Sequence, residues 1–287
     1  MEDMLDHFRP FVDPSSKDNS THFPLNREDL SKVSDEAILA LYDTAPVIHR
    51  LGGTQVVRLS RTLVMKGGST VYPCEAHAMI LAREKTQIPL PNVHRIIAGE
   101  PDKGYYGDRC YIVMDYVEGE GRDVCWESLD AAKREDVAAQ VAAMITEMER
   151  ITLSVPGRGI WFSDYGTENF QTIEDMENWF NHKLDICNTY RQSLPNTPRF
   201  KFQTLVLTHQ DIAPRNVILD AEGKAWLIDW AHAGAYPPGF ERAALLTQCE
   251  YHFPQFGDEV CRKITPYPDV QMQHVSVTYG LTTAALA

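Results

Sequence analysis

Apolar residues recur at spacings of three and four through Val137, Val141, Met144, Met148 and Ile151, a period that predicts an amphipathic helix with a core-facing stripe. A second helix is expected from Ile173 to about Arg191, where Leu194-Pro195-Asn196-Thr197-Pro198 cannot continue it. Upstream of Gly121 the pattern changes. Between Pro46 and Met114, short β-rich runs such as Val56-Val57-Arg58-Leu59 and Thr62-Leu63-Val64-Met65 alternate with turn residues, and a strand is expected at Cys110 to Asp115. One helix interrupts these runs, from about Pro73 to Glu84, and Ile88-Pro89-Leu90-Pro91 ends it. Ser34 before Asp35 and Glu36 signals a further helix start, with the helix running through Ile38, Leu39 and Tyr42 to about Asp43.

These elements predict an α+β chain in three parts. Residues 1–34, rich in Pro, Ser, Asp and Asn, form an extended arm whose Phe8, Phe11, Phe23 and Leu25 pack on the body at points. Residues 35–117 form a small antiparallel sheet lobe carrying a helix, and residues 118–287 a larger, mainly helical lobe. There is no internal repeat and no low-complexity tract.

Composition narrows the function. Hydrophobic residues make up 44% and charged residues 23% of 287, inside the ordinary globular range. The formal charge of −13 argues against nucleic acid as a partner, because an acidic field repels phosphate backbones. A cationic or neutral small molecule fits better, although an acidic surface also simply keeps a protein soluble. Cys74, Cys110, Cys125, Cys187, Cys249 and Cys261 are scattered without a C-x-x-C pair and read as reduced thiols. The opening MEDMLDHFRPFVDPSS has no apolar segment of the secretory type, and no run approaches the ~18–20 apolar residues of a membrane helix. The expectation is a cytoplasmic protein away from membranes, with no protein partner indicated.

The chemistry concentrates in Leu205-Val-Leu-Thr-His-Gln-Asp-Ile-Ala-Pro-Arg-Asn-Val-Ile-Leu-Asp220 and the following Ala225-Trp-Leu-Ile-Asp-Trp230. The order is strand, polar loop, strand, turn, strand, acid. His209, Asp211, Asn216 and Asp229 thus fall at the polar ends of apolar runs, an oxygen-rich set suited to magnesium.

Here the sequence resembles the aminoglycoside phosphotransferase and choline kinase superfamily, which has a protein-kinase-like two-lobe fold. The resemblance runs from about Ala45 to Tyr251, is strongest at His209-x-Asp211-x4-Asn216 with Asp229 beyond it, and is worded like a branch common in filamentous fungi. It implies that Asp211 positions or deprotonates a substrate hydroxyl, that Asn216 and Asp229 hold magnesium, and that ATP donates the phosphoryl group. His209 is expected to brace the loop against backbone near Asp229; otherwise it is an ordinary buried histidine.

An ATP site also needs a cation for the α and β phosphates and an acid to hold it. Lys66, at the end of Leu63-Val64-Met65, and Glu75, on the following helix, match the strand lysine and helix glutamate of kinase folds. A surface lysine and an ordinary helical glutamate are the alternative. Gly52 and Gly53 either lay their amides over the phosphates or make a hairpin turn. Tyr111 to Gly119 resembles the strand and hinge where backbone groups from Asp115 to Val117 meet adenine, or is only a buried strand and turn.

Departures from protein kinases point to a small acceptor. Ala213 replaces the usual lysine, Asp229 is followed by Trp230-Ala231 instead of Phe-Gly, and Asp229 stands too close to Glu241 for a long polypeptide-docking segment. Gln210 stands where the family commonly has Gly, and Ala231-His232 where an acid is more usual; neither change removes a metal ligand. Should the acceptor be cationic, Asp164, Glu168, Glu174, Asp175 and Glu177 are candidates to line its approach, unless they form a solvated helix face. The leading expectation is ATP- and magnesium-dependent phosphorylation of a small-molecule hydroxyl. A kinase fold redirected to other small-molecule chemistry and a nucleotide-binding pseudokinase are the competing readings.

Overall fold

Two glycines turn the chain at the first hairpin, between β1 (Val47–Leu51) and β2 (Thr54–Arg58). Leu51 pairs with Thr54, so Gly52-Gly53 is the whole loop, and Gly52 takes φ +54, a left-handed value that a Cβ disfavours. The sheet continues through β3 (Leu63–Gly68), β4 (Val93–Ala98) and β5 (Cys110–Asp115), all antiparallel, in the order β1-β2-β3-β5-β4. The computed structural model describes residues 22–99, 108–121, 126–154 and 170–282. Residues 1–21, Cys125 and the stretch with Trp161, Asp164 and Glu168 lie outside the described residues.

Helix α1 (Asp35–Leu39) starts where expected, with the Ser34 hydroxyl accepting from the Ala37 N–H at 3.3 Å. It stops short of Asp43. From Leu41 the amides turn to carbonyls three residues back, Leu41 to Ile38 and Tyr42 to Leu39, and the chain tightens into turns before Pro46. The apolar stripe of α1 joins a core of Leu25, Val57, Leu59, Met65, Ile97 and Val113. The preceding segment is tied to the same sheet: Phe23 and Leu25 are buried, Leu25 N–H donates to Leu59 O at 2.8 Å, and Arg95 donates to the carbonyls of Leu30 and Val33.

Helix α2 (Pro73–Lys85) follows β3. The chain divides into two compact units, one of Met1–Ile80 with Pro91–Val117 and the other of Leu81–Leu90 with Glu118–Ala287. The second unit holds α3 (Ala131–Glu149), α4 (Ile173–Thr189), α5 (Phe240–Cys249), α6 (Pro254–Cys261) and α7 (Pro268–Thr282). The periodic residues Val137, Val141, Met144 and Met148 of α3 are buried as their spacing requires.

Two small antiparallel sheets complete this unit. In one, β8 (Leu205–Thr208) lies between β7 (Thr152–Leu153) and β11 (Gly234–Tyr236). In the other, β9 (Val217–Leu219) lies between β6 (Glu120–Gly121) and β10 (Ala225–Leu227). Leu205 to Thr208 are all buried, which is why this strand reads as an unbroken apolar run. Among the described residues no helix is long and apolar enough to cross a membrane, and Cys74, Cys110, Cys187, Cys249 and Cys261 are free thiols.

Candidate active site

The polar loop from His209 to Asn216 begins where β8 ends and closes with a 3-10 turn, Pro214–Asn216, that leads into β9. Strand pairing then fixes Asp229. Leu227 of β10 stands opposite Val217 of β9, and the next amide, Ile228 N–H, donates to Asn216 O at 3.0 Å. Asp229 therefore emerges beside Asn216, exposed and with φ +60.

His209 is fully buried against the edge of Trp230, with ring centroids 4.9 Å apart. Its Nε2 faces Ile228 O at 3.0 Å and its Nδ1 accepts the Asp211 N–H at 3.3 Å. A carbonyl needs a donor and an amide an acceptor, so Nε2 carries the proton. Burial pushes the imidazole down to about 3, which keeps the ring neutral. One neutral histidine thus connects the start of the loop to the residue preceding Asp229.

Asp211 has both carboxylate oxygens engaged. Oδ2 accepts from Asn216 Nδ2 at 2.7 Å, and Oδ1 from Arg215 Nη2. Burial raises the carboxyl, while Arg215 opposes the rise. Asn216 Nδ2 also donates to Asp211 O at 2.8 Å. With its amide nitrogen spent twice on Asp211, Asn216 keeps Oδ1 as an acceptor with no hydrogen bond among the described residues.

That oxygen and the Asp229 carboxylate are hard donors of the type magnesium takes. The described residues contain no cluster of three or more His, Cys, Asp or Glu able to hold a metal. This agrees with a cation that draws only one or two ligands from protein and the rest from phosphates and water. The residues present fit magnesium.

Two residues at this site carry no sequence signal. Glu241, fully buried at the start of α5, accepts the backbone N–H of His209 and that of Gln210. Its place follows from its neighbours. Phe240 is buried among Phe180, Phe200 and Phe202, an anchor worth about 1.5–3 kcal/mol, and this fixes α5 beneath the loop. Gly239 turns into the helix at φ +88, where a Cβ would meet the Tyr267 ring at 2.5 Å. Burial pushes the Glu241 carboxyl up to about 7, against the two amides that favour its charge. Arg215, the second such residue, reads in sequence as an ordinary surface cation.

The expected nucleotide residues lie in the sheet unit. Lys66 Nζ donates to Glu75 Oε1 at 2.7 Å, with 5% of the lysine and 2% of the glutamate exposed, so the two are brought together and buried. Gly53 belongs to the hairpin turn, and its carbonyl accepts the Ser69 N–H at 2.8 Å. The Asp115 carboxylate is committed to His94 Nε2 at 2.6 Å and Asn92 N–H at 2.9 Å. The Val117 backbone makes no hydrogen bond among the described residues. Of the acids considered for the acceptor, Asp175 forms a capping box with Thr172 and Glu177 accepts the Phe202 N–H, both local structural tasks.

A family model described as "Phosphotransferase enzyme family" matches residues 50–264. No curated protein matches the chain. Solved structures of low identity share the fold. Aminoglycoside phosphotransferase APH(2'')-Ib, solved with ADP, is 14% identical at a TM-score of 0.55, covering 89% of this chain and 93% of that one. Aminoglycoside phosphotransferase APH(4)-Ia is 14% identical at 0.54, covering 86% and 88%. The streptomycin-ATP ternary complex of APH(2'')-IIa is 15% identical at 0.54, covering 84% and 85%.

Proposed function

Because the chain belongs to the phosphotransferase enzyme family, we propose that it transfers the terminal phosphoryl group of ATP to a hydroxyl of a small molecule, with magnesium as cofactor. The observation that carries this reading is the joint placement of Asp211, Asn216 and Asp229 on one loop and the strand end beside it. Asp211 accepts the acceptor's O–H proton. The acceptor oxygen forms the new P–O bond as the bond from phosphorus to the β–γ bridging oxygen breaks, and ADP leaves with that electron pair. Asn216 Oδ1 and Asp229 would hold magnesium, which when bound would supply positive charge against the phosphates.

Lys66, anchored by Glu75, is assigned to the α and β phosphates, the Gly52-Gly53 turn to phosphate cover, and the backbone from Asp115 to Val117 to the adenine edge. His209 acts by holding the loop to the strand end before Asp229. Similar folds solved with ADP, and with ATP and streptomycin, support a nucleotide donor and a small-molecule acceptor. The formal charge of −13 supports a cationic or neutral one.

The test is incubation with MgATP and a panel of aminoglycosides, amino alcohols and mixed metabolites. ADP should form together with one product heavier by a phosphate. Nucleotide binding without ADP or product from any acceptor would leave a binding protein instead.

A further inference from the structure

Arg215 has no part in the reaction as drawn above, yet it is tied to the residue at its centre. Its Nη2 donates to Asp211 Oδ1 and, at 3.2 Å, to Gln248 Oε1 of α5. Its side chain is 39% exposed while that of Asp211 is 13% exposed, so the acid is shielded and the cation is not. Among the described residues the guanidinium has no further partner.

An i,i+4 pair on an open surface is loosely held. Here the acid is sunk in the loop, and Gln248 pins the guanidinium from a second side. Asp211 takes one oxygen to Arg215 and the other to Asn216, so the carboxylate cannot rotate without breaking both contacts. Ala213 is buried and apolar and His209 is neutral, which makes Arg215 the cation of the stretch from His209 to Asn216. Helix α5 thus meets this loop twice, through Glu241 at its start and through Gln248 and Arg215 at its end.

We propose that Arg215 is a positioning residue for phosphoryl transfer, a charged strut within the loop, pinned by Gln248 of α5, that aims the Asp211 carboxylate at the acceptor oxygen. The proposal rests on the phosphotransferase reading. The proton still passes from acceptor to Asp211, and Arg215 exchanges none; its effect is on the orientation of the accepting oxygen.

The test compares Arg215→Lys, which keeps the charge and most of the reach, with Arg215→Gln, which keeps a hydrogen-bonding end on a shorter, uncharged side chain. ADP release from MgATP is measured with water as acceptor, and kcat and KM are determined separately. Arg215→Gln should lower kcat roughly 10–100-fold with KM for MgATP within about twofold, since misaiming a reacting group costs rate more than binding. Arg215→Lys should recover much of the loss, and the melting-point losses of Arg215→Gln and Asp211→Asn should fall short of additive in the double variant. An unchanged kcat in Arg215→Gln, equal losses in the two variants, or strictly additive melting-point shifts would each overturn the proposal. A wild-type chain that binds MgATP but gives neither ADP nor phosphorylated product with water or with any acceptor of the panel would instead remove the phosphotransferase reading, and this inference with it.

Discussion

Glu241 receives the Gln210 N–H with both carboxylate oxygens, at 3.0 and 3.2 Å, while also taking the N–H of His209. The relationship explains how an unusual backbone is held. Gln210 has φ +66, a left-handed value costing a non-glycine residue on the order of 1 kcal/mol, and a buried acceptor beneath it keeps its amide satisfied.

This brace should be visible in stability. Glu241→Ala leaves two buried N–H groups without an acceptor and should cost about 2–4 kcal/mol in denaturant unfolding. The pH dependence has a defined sign. The folded carboxyl sits at about 7, above its ordinary 4.5, because burial, and then Glu149 and Asp211 nearby, disfavour its charge. Its contribution is full below about pH 4.5 and is lost as pH climbs through about 7. Glu241→Gln removes the titration, so the wild type should lose ground to this variant between about pH 5 and about pH 8, by on the order of 2–3 kcal/mol. A pH-independent gap would show that the carboxyl is not raised.

Asp211→Asn removes the proton acceptor while preserving an oxygen and the shape of the loop. Turnover should fall roughly 10²–10⁴-fold, the range for one positioned general base, with the nucleotide Kd nearly unchanged. Near-native rates would take Asp211 out of the chemical step and favour a fold redirected to other chemistry.

How much of this was readable in advance depended on whether a residue's role is periodic, local or tertiary. The strand Cys110–Asp115 and the stripe on α3 follow from side-chain period, and both were legible. The strand-loop-strand order around His209 to Asn216 was legible from its apolar runs, while the residue roles came only through the resemblance; the His209 contact of 3.0 Å to Ile228 O lies where that resemblance places a brace. The extent of α1 was not, because tertiary turns after Leu39 override the apolar pattern through Tyr42. Glu241 and Arg215 were invisible for a different reason. A glutamate in the first turn of a helix ordinarily complements its dipole, and an arginine in a loop is ordinarily solvated. Only the folded chain shows that one lies under the loop and the other against Asp211.

Magnesium should govern nucleotide affinity. Asn216 Oδ1 and Asp229 offer oxygen to a cation and nothing attractive to a bare triphosphate, so calorimetry should show much weaker ATP binding with a chelator than with magnesium. Asn216→Ala should narrow the difference between the two conditions. Equal affinity with and without the metal would remove Asn216 and Asp229 from the metal assignment.

The last prediction concerns Lys66 and Glu75, whose 2.7 Å contact is almost wholly shielded from solvent. Burial changes what a substitution there should do. Lys66→Ala removes the cation that Glu75 meets at 2.7 Å, and breaking a buried pair from one side typically costs about 3–5 kcal/mol. Replacing both partners by apolar residues of similar size, Lys66→Met with Glu75→Leu, should restore much of that stability, since neither member of the pair is then buried without the other. Function should follow the opposite course. Phosphoryl transfer depends on neutralising charge that develops during the step, so Lys66→Ala should lower kcat more than it weakens ground-state nucleotide binding, and the stable double variant should remain impaired. Glu75→Gln should be milder, because the lysine survives without its anchor. Measuring unfolding free energy, kcat and nucleotide Kd across the singles and the double separates the two roles. Recovery of stability without recovery of kcat is the expected result. Recovery of both would mean that Lys66 serves the core of the sheet unit and takes no part in phosphoryl transfer.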